Sequence, residues 1–264
     1  MPQPSAHYSL GSPFIELQSV DSTNNYARKL LYEGLAQHGT AIFAHEQIAG
    51  KAQRGKIWTS DKGANVILSL VVKPKSLLLT QQFQLSVCVA VAVHELFMKY
   101  AEDETKIKWP NDLYWQDRKA GGILIESVIG RMESEVTSHE PGTARWEWAI
   151  IGIGININQT AFPSYLPNPV SLKQITGKNF DTVALAKEIC ESLNRKFDEL
   201  IKDGFDNIYT QYLTHLYKIN STVKLRKDNR VFEAIIKGVN PSGQLIAIHS
   251  FEEVFNFGEV EWVI

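Results

Sequence analysis

Gly50-Lys51-Ala52-Gln53-Arg54-Gly55-Lys56-Ile57-Trp58 fits the phosphate-binding pattern G-x-x-x-x-G-K-[ST] at every position but the last. A true P-loop places a hydroxyl on Mg²⁺ there and runs on into a helix whose N-terminus holds the phosphates. Ile57 has no hydroxyl, and Trp58-Thr59-Ser60-Asp61-Lys62-Gly63 reads as loop and turn. The simple P-loop reading therefore fails. What survives is a glycine-punctuated loop between two β-like runs, with Lys51, Arg54 and Lys56 able to cradle an anion alongside backbone N–H groups. A solvated surface loop is the commoner fate of such segments.

Working outward, residues 14–20 alternate as a strand, and Asp21-Ser22-Thr23-Asn24-Asn25 leads into a helical pattern carrying Tyr26, Ala27, Leu30 and Leu31, closed near Gly34. Ser22 and Thr23 read as helix caps or as hydroxyls offered to a ligand, and a helix start with spare donors allows both. Residues 40–45 form a second strand that delivers the chain to Gln47 and the glycine loop. Residues 64–72 are predominantly apolar and β-branched, as expected of a strand buried on both faces, and residues 81–100 are long enough to prefer helix. His94 falls in that helix as a surface or core histidine.

In Thr105-Lys106-Ile107-Lys108-Trp109 the two lysines are expected opposite Ile107 and Trp109. Pro110-Asn111-Asp112 is turn chemistry, set at a strand end where sites on open sheets form. Lys119 precedes the pair Gly121-Gly122, which marks either a bulge or close approach to a ligand. Residues 130–144 read as a variable loop. Residues 146–157 return to strand, with Ile151, Ile153, Ile155 and Ile157 toward the core. Gly152, Gly154 and Asn156 leave the other face bare, as if for something flat, or for a neighbouring backbone. Pro163, Pro167 and Pro169 punctuate a loop. Asp181-Thr182 opens a helix whose apolar stripe runs from Ala186 to Ile201, and a shorter helix carries Ile208, Tyr209, Tyr212, Leu213 and Leu216. From Thr222 the texture changes to short strands, around 223–225, 231–239, 245–249 and 254–257, with a turn at Asn240-Pro241-Ser242-Gly243. These suit a small SH3-like barrel.

Composition narrows the function classes. Lys plus Arg (27) nearly balances Asp plus Glu (29), so no global field draws the molecule to nucleic acid or membrane. The N-terminal residues show no signal-peptide pattern, and the apolar run 83–98 is too short to span a bilayer. Cys88 and Cys190 sit in apolar periodic segments as buried thiols without metal-ligand spacing. A cytoplasmic protein without nucleic-acid or membrane partners is expected.

The ordered set Asp21-Ser22-Thr23-Asn24, the glycine loop ending at Trp58, Lys108-Trp109-Pro110-Asn111-Asp112, Arg118-Lys119 with Gly121-Gly122-Ile123-Leu124, and Gly152-Ile153-Gly154-Ile155-Asn156 resembles the biotin protein ligases. The resemblance extends over nearly the whole chain, including Gly243, Leu245 and Gly258-Glu259-Val260. It implies an α+β fold: a class II aminoacyl-tRNA synthetase-like catalytic domain with a mixed sheet over residues 1–217, and an SH3-like β-barrel over 218–264. It implies activation of biotin by ATP and Mg²⁺ to biotinoyl-AMP, then transfer to one lysine of a biotin carboxyl carrier domain of the acetyl-CoA carboxylase type. A homodimer is also expected from the family. With the first strand near Phe14, a helix-turn-helix module has no room ahead of it, so the monofunctional form is expected.

Position by position, the resemblance assigns Ser22, Thr23, Asn24 and Gln47 to the ureido ring, and Gly50, Lys51, Ala52 and Gln53 to the biotin chain and adenylate. Lys119 is assigned to the carboxylate and α-phosphate and is the first catalytic candidate, with Gly122 nearby and Asp112 orienting Lys119 or helping to place the metal. Arg54, Lys56, Trp58, Lys108, Asn111 and Asn156 fall to the nucleotide. The family's loop is commonly Gly-Arg-Gly-Arg-x-Gly-Arg; Lys51, Ala52, Gln53 and Lys56 depart from it, keeping some charge but losing the bidentate fork of arginine. A lipoate ligase, a non-catalytic biotin sensor and a generic nucleotide-binding module are the competing readings.

Overall fold

The computed structural model describes residues 9–74, 77–131 and 144–263. Strand β1 (Phe14–Leu17) leads through helix α1 (Thr23–Tyr32) to β2 (Ala41–Ala44), which pairs parallel with it. A small hairpin, β3 (Gly50–Lys51) and β4 (Ile57–Trp58), precedes β5 (Val66–Val72) and helix α2 (Gln82–Ala101). Then come β6 (Thr105–Lys108), β7 (Asp112–Trp115), β8 (Arg118–Arg131) and β9 (Ala144–Ile155). Among the described residues these build a seven-stranded sheet in the order β1-β2-β5-β9-β8-β7-β6. All pairings but the first are antiparallel, so the sheet is mixed and the architecture α+β.

Side-chain alternation decides what each face of this sheet does. In β5, Val66, Leu68, Leu70 and Val72 enter the main core with α2, while Val71 joins Ile42, Ile150, Ala27 and Leu30 beneath α1. In β9, Ile151, Ile153 and Ile155 face that main core as the odd–even pattern predicts. The α1 face is covered only in part. Where α1 begins, the sheet offers Ser69, Gly152 and Gly154 in place of large apolar residues, and this is the face that carries the site.

Helix α2 is buried nearly all round; its helical span of 23 residues with the preceding turn exceeds the run read from sequence and is apolar and long enough to cross a membrane by composition alone. Here it is a core helix, packed on the sheet and on α4 (Thr182–Lys202). His94 is fully buried within it, its ring Nε2 facing Thr105 O at 2.9 Å. Asp181 caps α4 by accepting from Val183 and Ala184 N–H. Ile201, placed on the apolar stripe from sequence, is 63% exposed, because the last turn of α4 runs past the core. Helix α5 (Phe205–Thr214) ends before Leu216, which instead bridges to Ile107. A short helix α3 (Leu172–Thr176), capped by Ser171 and Gln174, stands where the proline spacing suggested only loop. Of the expected loop over 130–144, residues 132–143 lie outside the described residues, and the flanking positions belong to β8 and β9.

The second sheet is antiparallel, in the order β13-β12-β11-β10-β14, from β10 (Thr222–Lys227), β11 (Arg230–Val239), β12 (Leu245–Ile248), β13 (Glu252–Phe255) and β14 (Glu261–Val263). Strand β14 escaped the sequence pattern because it is three residues long. The β11–β12 turn seats this sheet under the site. Gly243, at φ +92°, lies so close to Phe83 that an added Cβ would fall 2.8 Å from its ring, and its carbonyl accepts from Trp109 Nε1 at 2.9 Å.

Candidate active site

The start of α1 has the backbone geometry of a cap at Ser22 but no side-chain capping bond. Its free polar groups turn sideways instead. Thr23 N–H donates to Gln47 Oε1 at 2.7 Å, Ser69 Oγ lies 2.7 Å from Thr23 Oγ1 and 2.6 Å from Asn24 Oδ1, and Asn24 Nδ2 donates to Glu126 Oε2 at 2.8 Å. Thr23, Asn24 and Ser69 are all buried. Glu126 also pairs with Arg28 at 3.0 Å and reaches Lys51 of the hairpin at 3.9 Å. Four sequence-predicted residues, Ser22, Thr23, Asn24 and Gln47, thus meet at one end of a cleft of about 400 Å³.

The glycine stretch is a hairpin rather than a plain loop. Residues 53–55 form its tip, where Arg54 is held in the left-handed region at φ 57°. Gln53 turns inward, donating to Asn111 Oδ1 at 2.8 Å and to Ile123 O at 3.2 Å. Trp58, expected in the loop, is on β4 and lies flat over Gly154, where a Cβ would come within 2.7 Å of the indole. A Cβ on Gly152 would likewise come within 2.5 Å of Asn24 Oδ1. The bare strand face therefore makes room for two of the chain's own side chains. Trp58 Nε1 is buried without a partner among the described residues, a cost that a bonding ligand atom would remove.

At the other end, β7 and β8 bring Asp112 opposite Gly122, with a register shift between Leu113 and Tyr114 that re-aims the strand. Lys119 Nζ meets Asp112 Oδ2 at 2.7 Å, and both remain about a third exposed. A Cβ on Gly122 would fall 3.1 Å from Asp112 and 3.5 Å from Lys119 Nζ, so the glycine leaves the ion pair its space. The Lys119 backbone is pinned on both sides, its N–H donating to Asn168 O and its carbonyl accepting from Val170 N–H.

Lys108 lies across β6 from the core residue Ile107, as alternation predicts, and is buried in the cleft wall. Its Nζ lies 3.0 Å from Tyr114 Oη and over the rings of Tyr114, Trp262 and Tyr217 at 4.6, 5.2 and 6.0 Å. Burial pushes its pKa down to about 8, partly offset by Asp112 and reinforced by Lys119 and Lys56. Arg54 and Lys56 also line the cleft, Arg54 with a long contact of 3.9 Å to Glu261.

Three expected residues sit off the main cleft. Asn111 borders an adjoining hollow of about 610 Å³ with Gln53, Phe83 and Gln244. Gly50 is part of the hairpin itself, paired with Trp58 and close to the Gln47 amide. Asn156, assigned to the nucleotide, is buried with its amide donating to Val170 O at 3.1 Å and Lys119 O at 3.4 Å. Those bonds brace the backbone of Lys119, so its geometry is that of a support. Sequence reasoning missed Ser69, Glu126, Tyr114 and Trp262. A signal existed for two: Ser69 is the single polar residue in Val66–Val72, and Glu126 the single charge among residues 123–129.

Among the described residues, no group of three or more His, Cys, Asp or Glu could hold a metal ion. What the cleft does offer is a polar pocket, a lysine–carboxylate pair and several cations in one space.

Residues 16–138 match the profile of the Biotin/lipoate A/B protein ligase family. The bifunctional ligase/repressor BirA of Bacillus subtilis (strain 168) is 30% identical over 240 residues, 90% of this chain and 70% of that protein. The biotin–[acetyl-CoA-carboxylase] ligase of Paracoccus denitrificans is 29% identical over 237 residues, 87% of this chain and 92% of that one. A solved biotin protein ligase from Aquifex aeolicus in complex with biotin and ATP covers 94% of this chain and 97% of its own, with a TM-score of 0.76 at 24% identity, a likeness of fold.

Proposed function

The chain belongs to the Biotin/lipoate A/B protein ligase family, and from that premise we propose that it is an ATP-dependent biotin protein ligase acting on a biotin carboxyl carrier domain. The observation that carries this is the single cleft with a buried amide–hydroxyl pocket at one end and the Lys119–Asp112 pair at the other. A bicyclic urea fits the polar end, and a carboxylate on a short chain reaches the lysine.

In this reading the biotin carboxylate attacks the α-phosphate of ATP, and pyrophosphate leaves. The acceptor lysine amine then attacks the acyl carbonyl, forming the amide and releasing AMP. Two anions must meet in the first step, so Lys119 holds carboxylate and α-phosphate together while Asp112 keeps its ammonium in place. Ser22, Thr23, Asn24 and Gln47 hold the ring. Gly50, Lys51, Ala52 and Gln53 close over the chain and shield the mixed anhydride from water. Arg54, Lys56, Trp58, Lys108 and Asn111 face the nucleotide, and Asn156 acts through the Lys119 backbone. An Mg²⁺ ion would arrive with the triphosphate and be held mainly by its oxygens, as is usual for that ion. Asp112 and Glu261 are carboxylates on the cleft wall that could join it. Its chemistry there is to offset phosphate charge.

The same reading carries the finer architecture: a class II synthetase-like catalytic unit over residues 1–217, an SH3-like unit over 218–264, a homodimer and a cytoplasmic setting. A lipoate ligase would need an apolar pocket where this chain buries Thr23, Asn24 and Ser69. The test is incubation with ATP, Mg²⁺ and radiolabelled biotin or lipoate, with and without a biotinyl acceptor domain. Label should pass from biotin to the acceptor lysine; no transfer from biotin would defeat the assignment.

A further inference from the structure

The hydrogen-bond chain at the ring end of the cleft is short of protons. Ser69 Oγ lies 2.6 Å from Asn24 Oδ1 and 2.7 Å from Thr23 Oγ1, and Thr23 Oγ1 lies 3.0 Å from Gln47 Oε1. These three oxygen–oxygen contacts share two hydroxyl hydrogens, one from Ser69 and one from Thr23. Gln47 cannot turn its amide to supply another, because its Oε1 already accepts from Thr23 N–H at 2.7 Å. Asn24 cannot turn either. Its Nδ2 donates to Glu126, a carboxylate ion-paired with Arg28 at 3.0 Å, and an ionised carboxylate only accepts.

The direction of the whole chain follows from that anchor. Glu126 holds Asn24 with its oxygen toward Ser69, so the Ser69 hydrogen must go to Asn24. Thr23 must then donate to Ser69, or leave two oxygens facing each other at 2.7 Å. One acceptor at the Thr23–Gln47 contact stays unmatched, and both residues line the cleft.

We propose that Glu126 is a positioning residue that sets the ring pocket to receive donors: through Asn24 and Ser69 it leaves an unmatched acceptor at Thr23 and Gln47 for an N–H of a cyclic urea. This rests on the biotin reading and adds the residue that enforces ring selection. Glu126 itself borders the hairpin and does not line the main cleft; it reaches the ring end through Asn24, while its longer contact of 3.9 Å is to Lys51 of the hairpin.

Glu126→Gln supplies the missing hydrogens. The new amide donates to Asn24 Oδ1, Asn24 turns its Nδ2 to Ser69, and the Ser69 and Thr23 hydroxyls are free to donate onward to Thr23 and Gln47. Every contact is then filled before any ligand arrives. Adding Asn24→Asp reverses this. The carboxylate at position 24 accepts from the new amide on one side and from Ser69 on the other, so the Ser69 hydrogen points as it does in the parent. The pair of changes also restores the net charge.

The experiment measures by calorimetry the affinity for biotin and for its two isosteres in which one ring N–H is replaced by oxygen, with no nucleotide present. The parent should prefer biotin over one isostere by about 30-fold or more, as sites built around a donor do. In Glu126→Gln that ratio should fall to about threefold or less, and in Asn24→Asp/Glu126→Gln it should return. Loss of charge alone moves all three ligands together and leaves the ratio intact, which overturns the proposal. Should Glu126→Gln not fold, the double variant decides: a parent-like ratio supports the chain of directions and a collapsed ratio overturns it. Failure of the parent to bind biotin defeats the functional assignment itself, and this inference with it.

Discussion

Lys108→Met should make the protein more stable at neutral pH, by an amount that disappears in alkali. Lys108 is 8% exposed, and its pKa lies near 8 against an ordinary 10.5. At about 1.4 kcal/mol per pH unit, keeping the ammonium charged in its aromatic box costs about 3 kcal/mol. Cation–π contacts to Tyr114 and Trp262 offset about 1 kcal/mol of that, leaving about 2 kcal/mol for a methionine of similar shape to recover. The sign of the pH dependence follows from proton counts. Unfolded, the lysine holds its proton to about 10.5; folded, it releases it near 8, so between these values the unfolded state binds more protons and stability rises with pH. Below 8 the full cost is present. Above about 10.5 the window closes because the unfolded lysine has lost its proton too; the Tyr114 hydroxyl, pushed up from 10 by burial, adds an opposite slope in parent and variant alike. Urea unfolding at several pH values from about 7 to 10 should show the Lys108→Met advantage shrinking by about 2 kcal/mol. A constant difference across that range would refute the desolvated-ammonium account. Nucleotide affinity should move the other way, falling in the variant if the released charge serves phosphate.

Lys119→Met should reduce biotin-dependent exchange of pyrophosphate into ATP by about 100-fold or more, with an unfolding midpoint close to the parent's; comparable exchange rates would remove Lys119 from the chemistry. Gly154→Ala places a Cβ 2.7 Å from the Trp58 indole. Because β4 is an edge hairpin that can shift, the stability loss should stay near 1 kcal/mol, while the fluorescence of Trp58 and the KM values for biotin and ATP change; an unaltered KM would separate Trp58 from the ligand. Gln53→Arg breaks the Gln53–Asn111 bond and returns the charge common in relatives of the loop. Release of biotinoyl-AMP from this variant should slow, and an unchanged release rate would show that retention rests on the backbone and hairpin alone.

Much of the fold was readable because it depends on periodicity: the isoleucine alternation in β9 and the run of β5, apolar but for Ser69, name their own burial. That Ser22, Thr23, Lys119 and Asp112 are candidates for one cleft was readable for a different reason, since they lie in short motifs tied to local turns. What escaped depends on pairings between distant segments. Alternation set Lys108 opposite Ile107, but nothing near it reveals that Trp262 will cover its ammonium. The bare face of Gly152 and Gly154 was recognised, but its occupants, Asn24 and Trp58, come from strands and helices more than 90 positions earlier. Asn156 was given to the nucleotide by the family resemblance alone. Only the position of Val170 shows that its hydrogens are already committed.

The seating of Gly243 on Phe83 and Trp109 has a consequence for when the enzyme can begin to work. Trp109 waits for a carbonyl 134 residues further along, and Lys108 for an indole further still. The Ser22–Asn24 end of the cleft and the Lys119–Asp112 pair are built from residues before 160, while part of the wall opposite comes from residues 257–262. A chain ending before residue 222 would carry β9 and both ends of the cleft but lack the wall that Phe257, Glu261 and Trp262 supply. On the proposed reading the cleft is complete only once strand β14 has joined β10.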